Sequence, residues 1–255
     1  MDVVILGILQ GWFLYFHLLH DITTVTDTCM STATQKGTRV LYRTGAAFVS
    51  ARLGISPIPP ITAQQLSTSF TADRGGLIIA GSYVPKTTAQ LAILRERSGS
   101  DLAVVELDVE KLLRHESNQN EEDILATALE KAESEVSNGQ DVLLMTSRKL
   151  ITGANERESL DIGTIVARSL VLFLQRFSVR PRYVIAKGGI TSSDMATKGL
   201  NIKKALIAGQ ASSGVPLWRC DEESCKWKGL PYVVFPGNVG SESALYELVR
   251  DWKRA

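Results

Sequence analysis

The chain has 255 residues, 44% of them hydrophobic and 22% charged, the composition of a globular protein with a substantial core. Its 28 basic and 27 acidic residues leave a net charge of +1 with no long Lys/Arg run, which argues against a nucleic-acid partner. Three cysteines, Cys29, Cys220 and Cys225, are too few and too scattered for a disulfide framework and point to a reducing, cytoplasmic setting.

In chain order, Val3 to Leu19 comes first and is strongly apolar. Asp2 stands where a signal peptide carries positive charge, Gln10 and His17 interrupt the run, and no small-residue cleavage site follows. A buried strand or helix, or a segment outside any folded domain, is therefore expected rather than a signal peptide or membrane span. Residues 21–38 are Thr-rich and read as a linker. Arg39 to Leu53 reads as a short strand and a helical stretch, and the proline-rich Ile55 to Thr62 as an extended connector. A domain boundary is expected between that connector and Gly75, giving an N-terminal part of residues 1–74 and a regular domain of residues 75–255.

From Gly75 short apolar runs alternate with amphipathic segments. Strands are expected at Leu77–Ala80, Leu102–Leu107, Asp141–Met145, Tyr183–Ala186, Lys204–Ala208, Val215–Arg219 and Tyr232–Phe235. Helices are expected at Thr87–Arg97, Glu121–Val136, Leu160–Phe177 and Ser241–Lys253, from their 3.6-residue apolar period. This alternation predicts an α/β fold: a doubly wound, mostly parallel sheet with helices on both faces, mixed where two strands follow each other without a helix near Lys203–Arg219.

Ligands of open parallel sheets bind beyond the carboxyl ends of the strands. Three expected strand ends carry glycine: Gly81-Ser82, Gly188-Gly189, and Gly237-Asn238-Val239-Gly240. Glycine lets backbone approach a phosphate closely, and free N–H groups at a helix start favour anions. No P-loop and no G-x-G-x-x-G after the first strand is present, which disfavours P-loop NTPases and Rossmann-type dinucleotide binders. Beside these loops Thr191, Ser192 and Ser193 can donate to phosphate or cap the following turn. Asp194 can meet Mg²⁺ or serve only as a dipole partner. Lys187, and less so Lys86 and Arg148, can neutralise phosphate or remain solvated. Trp218 and Trp227 read as packing residues. Cys220 and Cys225 make at most half a zinc site, because no further Cys or His completes it, so structural thiols and no metal site are expected.

Four blocks, GSYVPKTTAQL (Gly81–Leu91), YVIAKGGITSSDMATKGL (Tyr183–Leu200), GQASSGVPLW (Gly209–Trp218) and GLPYVVFPGNVG (Gly229–Gly240), together resemble the C-terminal, nucleotide-binding domain of the four-carbon acid sugar kinases. The resemblance implies ATP with Mg²⁺, phosphoryl transfer to a C4 sugar acid such as a threonate, erythronate or oxo-tetronate, and nucleotide contacts at Ser82, Gly188, Gly189 and Gly237. A homodimer is compatible with it. Members carry an N-terminal sugar-acid domain with an Asp-Asp-x-Thr-Gly-Ala motif that is not found here; only Val40–Ile55 resembles the tail of that domain. The chain thus reads as N-terminally truncated, with catalytic residues unassigned and turnover impaired. A non-catalytic nucleotide-binding module and an unrelated phosphosugar-binding α/β enzyme are the competing readings.

Overall fold

The structure is a computed structural model, which describes residues 3–7, 31, 35–37, 39–43, 49, 53–56, 58–66, 73–81, 83–113, 118–148, 151, 153 and 155–253. They belong to two compact units, Met1–Ile58 and Pro59–Ala255. In the first, β1 (Val3–Gly7) pairs in parallel with β2 (Arg39–Arg43). The apolar N-terminal segment therefore contributes a strand at its start; residues 8–19 lie outside the described residues.

The second unit is built on seven strands: β3 (Leu77–Ala80), β4 (Leu102–Leu107), β5 (Asp141–Thr146), β6 (Val184–Lys187), β7 (Leu206–Ser212), β8 (Val215–Arg219) and β9 (Pro231–Phe235). Their order is β4-β5-β3-β6-β9-β8-β7. The first five in that order run parallel, and the β7–β8 hairpin adds antiparallel to β9. The mixed region expected after Lys203 is this hairpin. With only the two-residue turn Ser213-Gly214 between its strands, no helix can cross over, and Gly214 takes the positive φ of 73° that the turn needs.

The central strands are buried on both sides, so their sequences are continuous apolar runs. Side chains alternate all the same. Ile78 and Ala80 face the layer of α2 (Pro85–Ser98) and α7 (Ala244–Lys253), while Leu77 and Ile79 face that of α4 (Asn118–Ser137) and α5 (Glu156–Arg176). Each fully buried Leu or Ile contributes roughly 1.5–3 kcal/mol. Two short helices, α1 (Ala63–Leu66) and α3 (Val109–Leu113), are not evident in the sequence pattern. The short helix α6 (Gly189–Asp194), which follows β6, runs into a π-turn at Met195–Gly199.

Helix ends follow local chemistry. Pro85 opens α2, where its missing N–H costs nothing, and Gly99 closes it with φ 52°. Asn155 caps α5 by accepting from the Glu158 N–H at 2.9 Å. Trp227 is buried edge-on against Phe177, and Trp218 packs on Tyr232, so both tryptophans are packing residues. Cys220 and Cys225 are buried free thiols.

From Pro59 the connector is grouped with the second unit. Ile61 donates its N–H to Gln210 at 2.8 Å, and Trp252 returns an Nε1–H to the Ile61 carbonyl at 3.2 Å. At the amino edge of the sheet, buried Asp141 accepts from the Gly76 N–H at 2.6 Å and lies 3.4 Å from Arg182.

Candidate nucleotide site

The register of the parallel strands brings three loops side by side. Ala80 pairs with Lys187, and Lys187 pairs with Phe235, so the segments starting at Gly81, Gly188 and Pro236 leave one edge of the sheet together. The helix after β3 and the helix after β9 pack on one face, while α5 and Met195, just past α6, pack on the other. The chain thus parts to opposite faces on either side of β6, the arrangement that opens a crevice at the carboxyl edge.

Gly188 is buried with φ 108°, a conformation reserved for glycine, and its N–H is fixed on the Phe235 carbonyl at 2.8 Å. Gly189 is exposed, and a Cβ built there would meet nothing within 4 Å. Gly81 packs on α5: a Cβ would lie 2.6 Å from a Leu170 methyl and 3.5 Å from the Thr191 hydroxyl, which puts Thr191 beside the β3 loop. Ser192 is turned inward, its hydroxyl donating to Ala186 at 2.7 Å and its carbonyl accepting from Tyr232 at 2.6 Å. Asp194 pairs with Lys198 one turn on at 2.7 Å. Ser82 lies outside the described residues.

Side chains of β6 and α2 hold the loop after β9 by its carbonyls. Lys187 Nζ donates to Pro236 at 2.6 Å, Thr87 Oγ1 to Gly237 at 3.4 Å, and Lys86 Nζ to Asn238 at 3.2 Å. Gln90 Nε2 donates to Val239 at 3.0 Å and to Ser241 at 2.7 Å. With these carbonyls engaged, the N–H groups of Gly237, Asn238, Val239 and Gly240 meet no acceptor among the described residues. Successive backbone N–H groups left open in a loop form an anion-binding concavity. Gly240 adopts φ 81° and is packed against Ala244; Gly237 has neither constraint, and its Cβ would sit at an ordinary 3.9 Å from Thr87 and Val84.

Lys187 is fully buried, where a solvated strand-end lysine was one expectation. Its position between β3 and β9 explains this: both neighbours cover it, and its ammonium lies 4.6 Å from the Phe235 ring centre. Burial, with Lys86 nearby, lowers its pKa to about 8. Among the described residues no carboxylate pairs with it, so the positive charge has only a carbonyl and a ring for company. Just past β5, Arg148 reaches Thr88 at 3.3 Å and stacks over Tyr83 at 5.1 Å, and burial lowers its pKa.

Sequence reading gave neither Thr87 nor Gln90 a part in the site. Both are fully buried polar residues three apart on α2, on the face that also carries Leu91 and Leu94. Their polarity on an apolar stripe is the signal that could have found them. The described residues hold no group of three His, Cys, Asp or Glu side chains suited to a metal ion, and the Asp194 carboxylate is engaged by Lys198. A Mg²⁺ at this edge would therefore be held chiefly by a ligand's phosphates, with at most one protein carboxylate. Among the described residues no helix is long and apolar enough to cross a membrane.

A doubly wound α/β domain with adjoining glycine loops and a buried cation at its carboxyl edge is a domain built to take a phosphorylated ligand. Residues 77–245, more than half of the chain, match the model of the nucleotide-binding C-terminal domain family, and the chain belongs to that family. The match bears out the resemblance to the C-terminal domain of the four-carbon acid sugar kinases. No curated protein matches the chain. Among solved structures it is similar to a proposed tRNA synthase from Salmonella typhimurium LT2, with a TM-score of 0.61 and 19% identity over 91% of this chain and 57% of that one. It is also similar to a domain of unknown function, DUF1537, from Bordetella bronchiseptica, a domain-swapped dimer with bound citrate. There the TM-score is 0.52 and the identity 17%, over 70% of this chain and 42% of that one. The chain therefore spans little more than half, or less, of these relatives' length.

Proposed function

We propose that this nucleotide-binding domain binds ATP–Mg²⁺ and is the nucleotide half of a kinase that phosphorylates a four-carbon sugar acid of the threonate, erythronate or oxo-tetronate type. The observation that carries the reading is the Gly237–Gly240 loop, whose carbonyls are tied back and whose N–H groups are open, beside the uncompensated ammonium of Lys187. A phosphate chain supplies both the acceptors and the negative charge this edge lacks. Gly188, Gly189, Thr191 and, by resemblance, Ser82 complete the cradle from the neighbouring loops. Mg²⁺ travels on the phosphates and offsets their charge. Ser192 acts from below, holding the β6 loop to its strand through Ala186.

Phosphoryl transfer also needs an acceptor hydroxyl held in line and a residue to take its proton. Neither is assigned on this domain. Loss of positioning alone amounts to roughly 7–11 kcal/mol of barrier, so the chain alone binds nucleotide and turns over slowly. That the chain spans 57% and 42% of its structural relatives supports an acceptor site held elsewhere, and it equally favours a second reading, a nucleotide-binding module without catalysis. Buried free thiols suit the cytoplasm, and a homodimer is proposed by analogy with the Bordetella protein.

The test is calorimetric titration of the chain with ATP–Mg²⁺, followed by coupled ADP release with threonate and erythronate. Micromolar to millimolar binding with slow release supports the kinase half. Binding with no release under any acceptor favours the non-catalytic module. Absence of ATP binding removes both.

A further inference from the structure

We infer that Gln90 is the positioning residue of the site: from α2 it sets the path of the loop after β9, so that the N–H groups of residues 237–240 face the ligand. The inference rests on the reading of that loop as a phosphate cradle.

Gln90 is completely buried, on the second turn of a 14-residue helix. Its amide nitrogen donates to two carbonyls of one loop, Val239 at 3.0 Å and Ser241 at 2.7 Å. Both acceptors are carbonyls, so the amide can take only this orientation, and each of its two N–H bonds is used. The consequence is visible at the other end of the group: Oε1 is buried without a partner among the described residues. Burying an amide acceptor unsatisfied costs about 1–3 kcal/mol. A leucine or methionine would fill the space without that cost. What an apolar residue cannot do is turn two carbonyls toward the helix.

The loop is fitted to this contact. Gly240 takes φ 81°, and a Cβ on it would approach Gln90 Nε2 to 3.7 Å, so the chain passes directly over the amide. Thr87 and Lys86 bind the preceding carbonyls, but Thr87 at a long 3.4 Å and Lys86 from an exposed side chain. Gln90 supplies bonds of 3.0 and 2.7 Å from a fully buried side chain, at the end of the loop that Lys187 does not reach. Without it, residues 239–241 lose the constraint that keeps carbonyl oxygens away from the crevice, and a peptide flip there presents oxygen rather than N–H to an anion.

The experiment compares the whole chain with Q90M and Q90E. Methionine keeps the volume and removes the donors; glutamate keeps the shape and puts oxygen against both carbonyls. Affinities for ATP–Mg²⁺ and for adenosine are measured, with crystal structures of the unliganded proteins to give the backbone path of residues 237–241. Loss of two hydrogen bonds predicts ATP binding weaker by about tenfold or more, adenosine binding unchanged, and a peptide flip or displacement confined to the loop. Unchanged ATP affinity overturns the inference, as does a parallel fall for ATP and adenosine, which marks general destabilisation. If the wild-type chain binds neither ligand, the nucleotide reading fails, and the loop path alone then decides. A path of residues 237–241 equal to wild type in Q90M and Q90E overturns the positioning role.

Discussion

The ammonium of Lys187, at the carboxyl end of a central strand, lies 2.6 Å from the carbonyl oxygen of Pro236, the first residue of the loop after the neighbouring strand. One bond therefore joins the strand that ends in Gly188 to the loop that contains Gly237, and it does so with a buried charge. In the proposed site Lys187 would both fix the loop and supply positive charge.

The charge makes binding pH-dependent. Burial, and then the nearby Lys86, lower the Lys187 pKa from 10.5 to about 8. Below pH 8 the ammonium is charged in folded and unfolded states alike, and the folded state carries the cost of burying it. Between about 8 and 10.5 the folded chain sheds the proton first, so the stability of the unliganded chain gains from this group as pH rises through that window. Nucleotide affinity moves the other way, falling as pH passes 8 and the attracting charge is lost. Lys187→Met removes this step and weakens ATP binding at pH 7. Isothermal titration between pH 6.5 and 9.5, wild type against variant, checks it; a pH profile common to both proteins would exclude Lys187 from the site.

Gly237 and Gly240 separate ligand sterics from chain sterics. A side chain at Gly237 meets only ordinary contacts and needs no unusual φ, so Gly237→Val folds and melts close to wild type. Its methyl groups obstruct close approach of phosphate to the loop, so ATP binding is lost. Gly240→Ala places a Cβ at positive φ and within 2.6 Å of Ala244, which destabilises the fold by about 1–3 kcal/mol. Thermal melts and nucleotide titration of both variants check this pair. Wild-type affinity in Gly237→Val would remove that loop from the site.

At the opposite edge of the sheet, Asp141 is structural. Its Oδ1 accepts from the Gly76 N–H and faces Arg182. Asp141→Ala leaves a buried N–H and a guanidinium without their partner and costs about 3–5 kcal/mol. Asp141→Asn still offers an oxygen to Gly76 and costs less. Desolvation, the largest influence, raises the Asp141 pKa above its ordinary 3.8 despite the Gly76 bond and Arg182. The folded state thus holds the proton more tightly than the unfolded chain, and this group's contribution to stability declines as pH rises through the window just above 3.8. Urea unfolding of wild type and both variants from pH 3.5 to 7 measures the order and, by difference from the variants, the slope; Ala and Asn variants of equal stability would contradict the account.

The segment ahead of Gly75 belongs energetically to the second unit. A fragment of residues 59–255 keeps the Ile61 bonds to Gln210 and Trp252, while a fragment of residues 75–255 exposes Trp252 and the end of β7. The longer fragment is expected to melt several degrees higher, since about 1–2 kcal/mol shifts the midpoint of a domain this size by that much. Differential scanning calorimetry of the two checks it, and equal midpoints would place the boundary at Gly75.

Much of the fold can be read along the chain because its causes are local. Leu77–Ala80 and Tyr183–Ala186 are apolar runs too short for helices, each leading into glycine, and α5 shows an apolar stripe at helical spacing. Glycine marks the loops because a turn such as Gly188, at φ 108°, admits little else. The boundary at Pro59 is less legible: a proline-rich stretch reads as a connector, and its attachment to Gln210 and Trp252 joins residues some 150 or more positions apart.

The sequence by itself determined the α/β class, the strands that end in glycine and the family, because period, turn chemistry and motif order are properties of neighbouring residues. Which loops share an edge, and which polar residues serve them, only the tertiary structure decided. Lys187 reads equally as a phosphate partner or a solvated strand end until the strand order places β6 between β3 and β9, and Gln90 reads as one polar position on a helix until α2 is laid beside the loop after β9. Both depend on contacts between segments about 50 and 150 residues apart. No local preference encodes such a contact; it forms because burying both faces of the sheet brings these segments together.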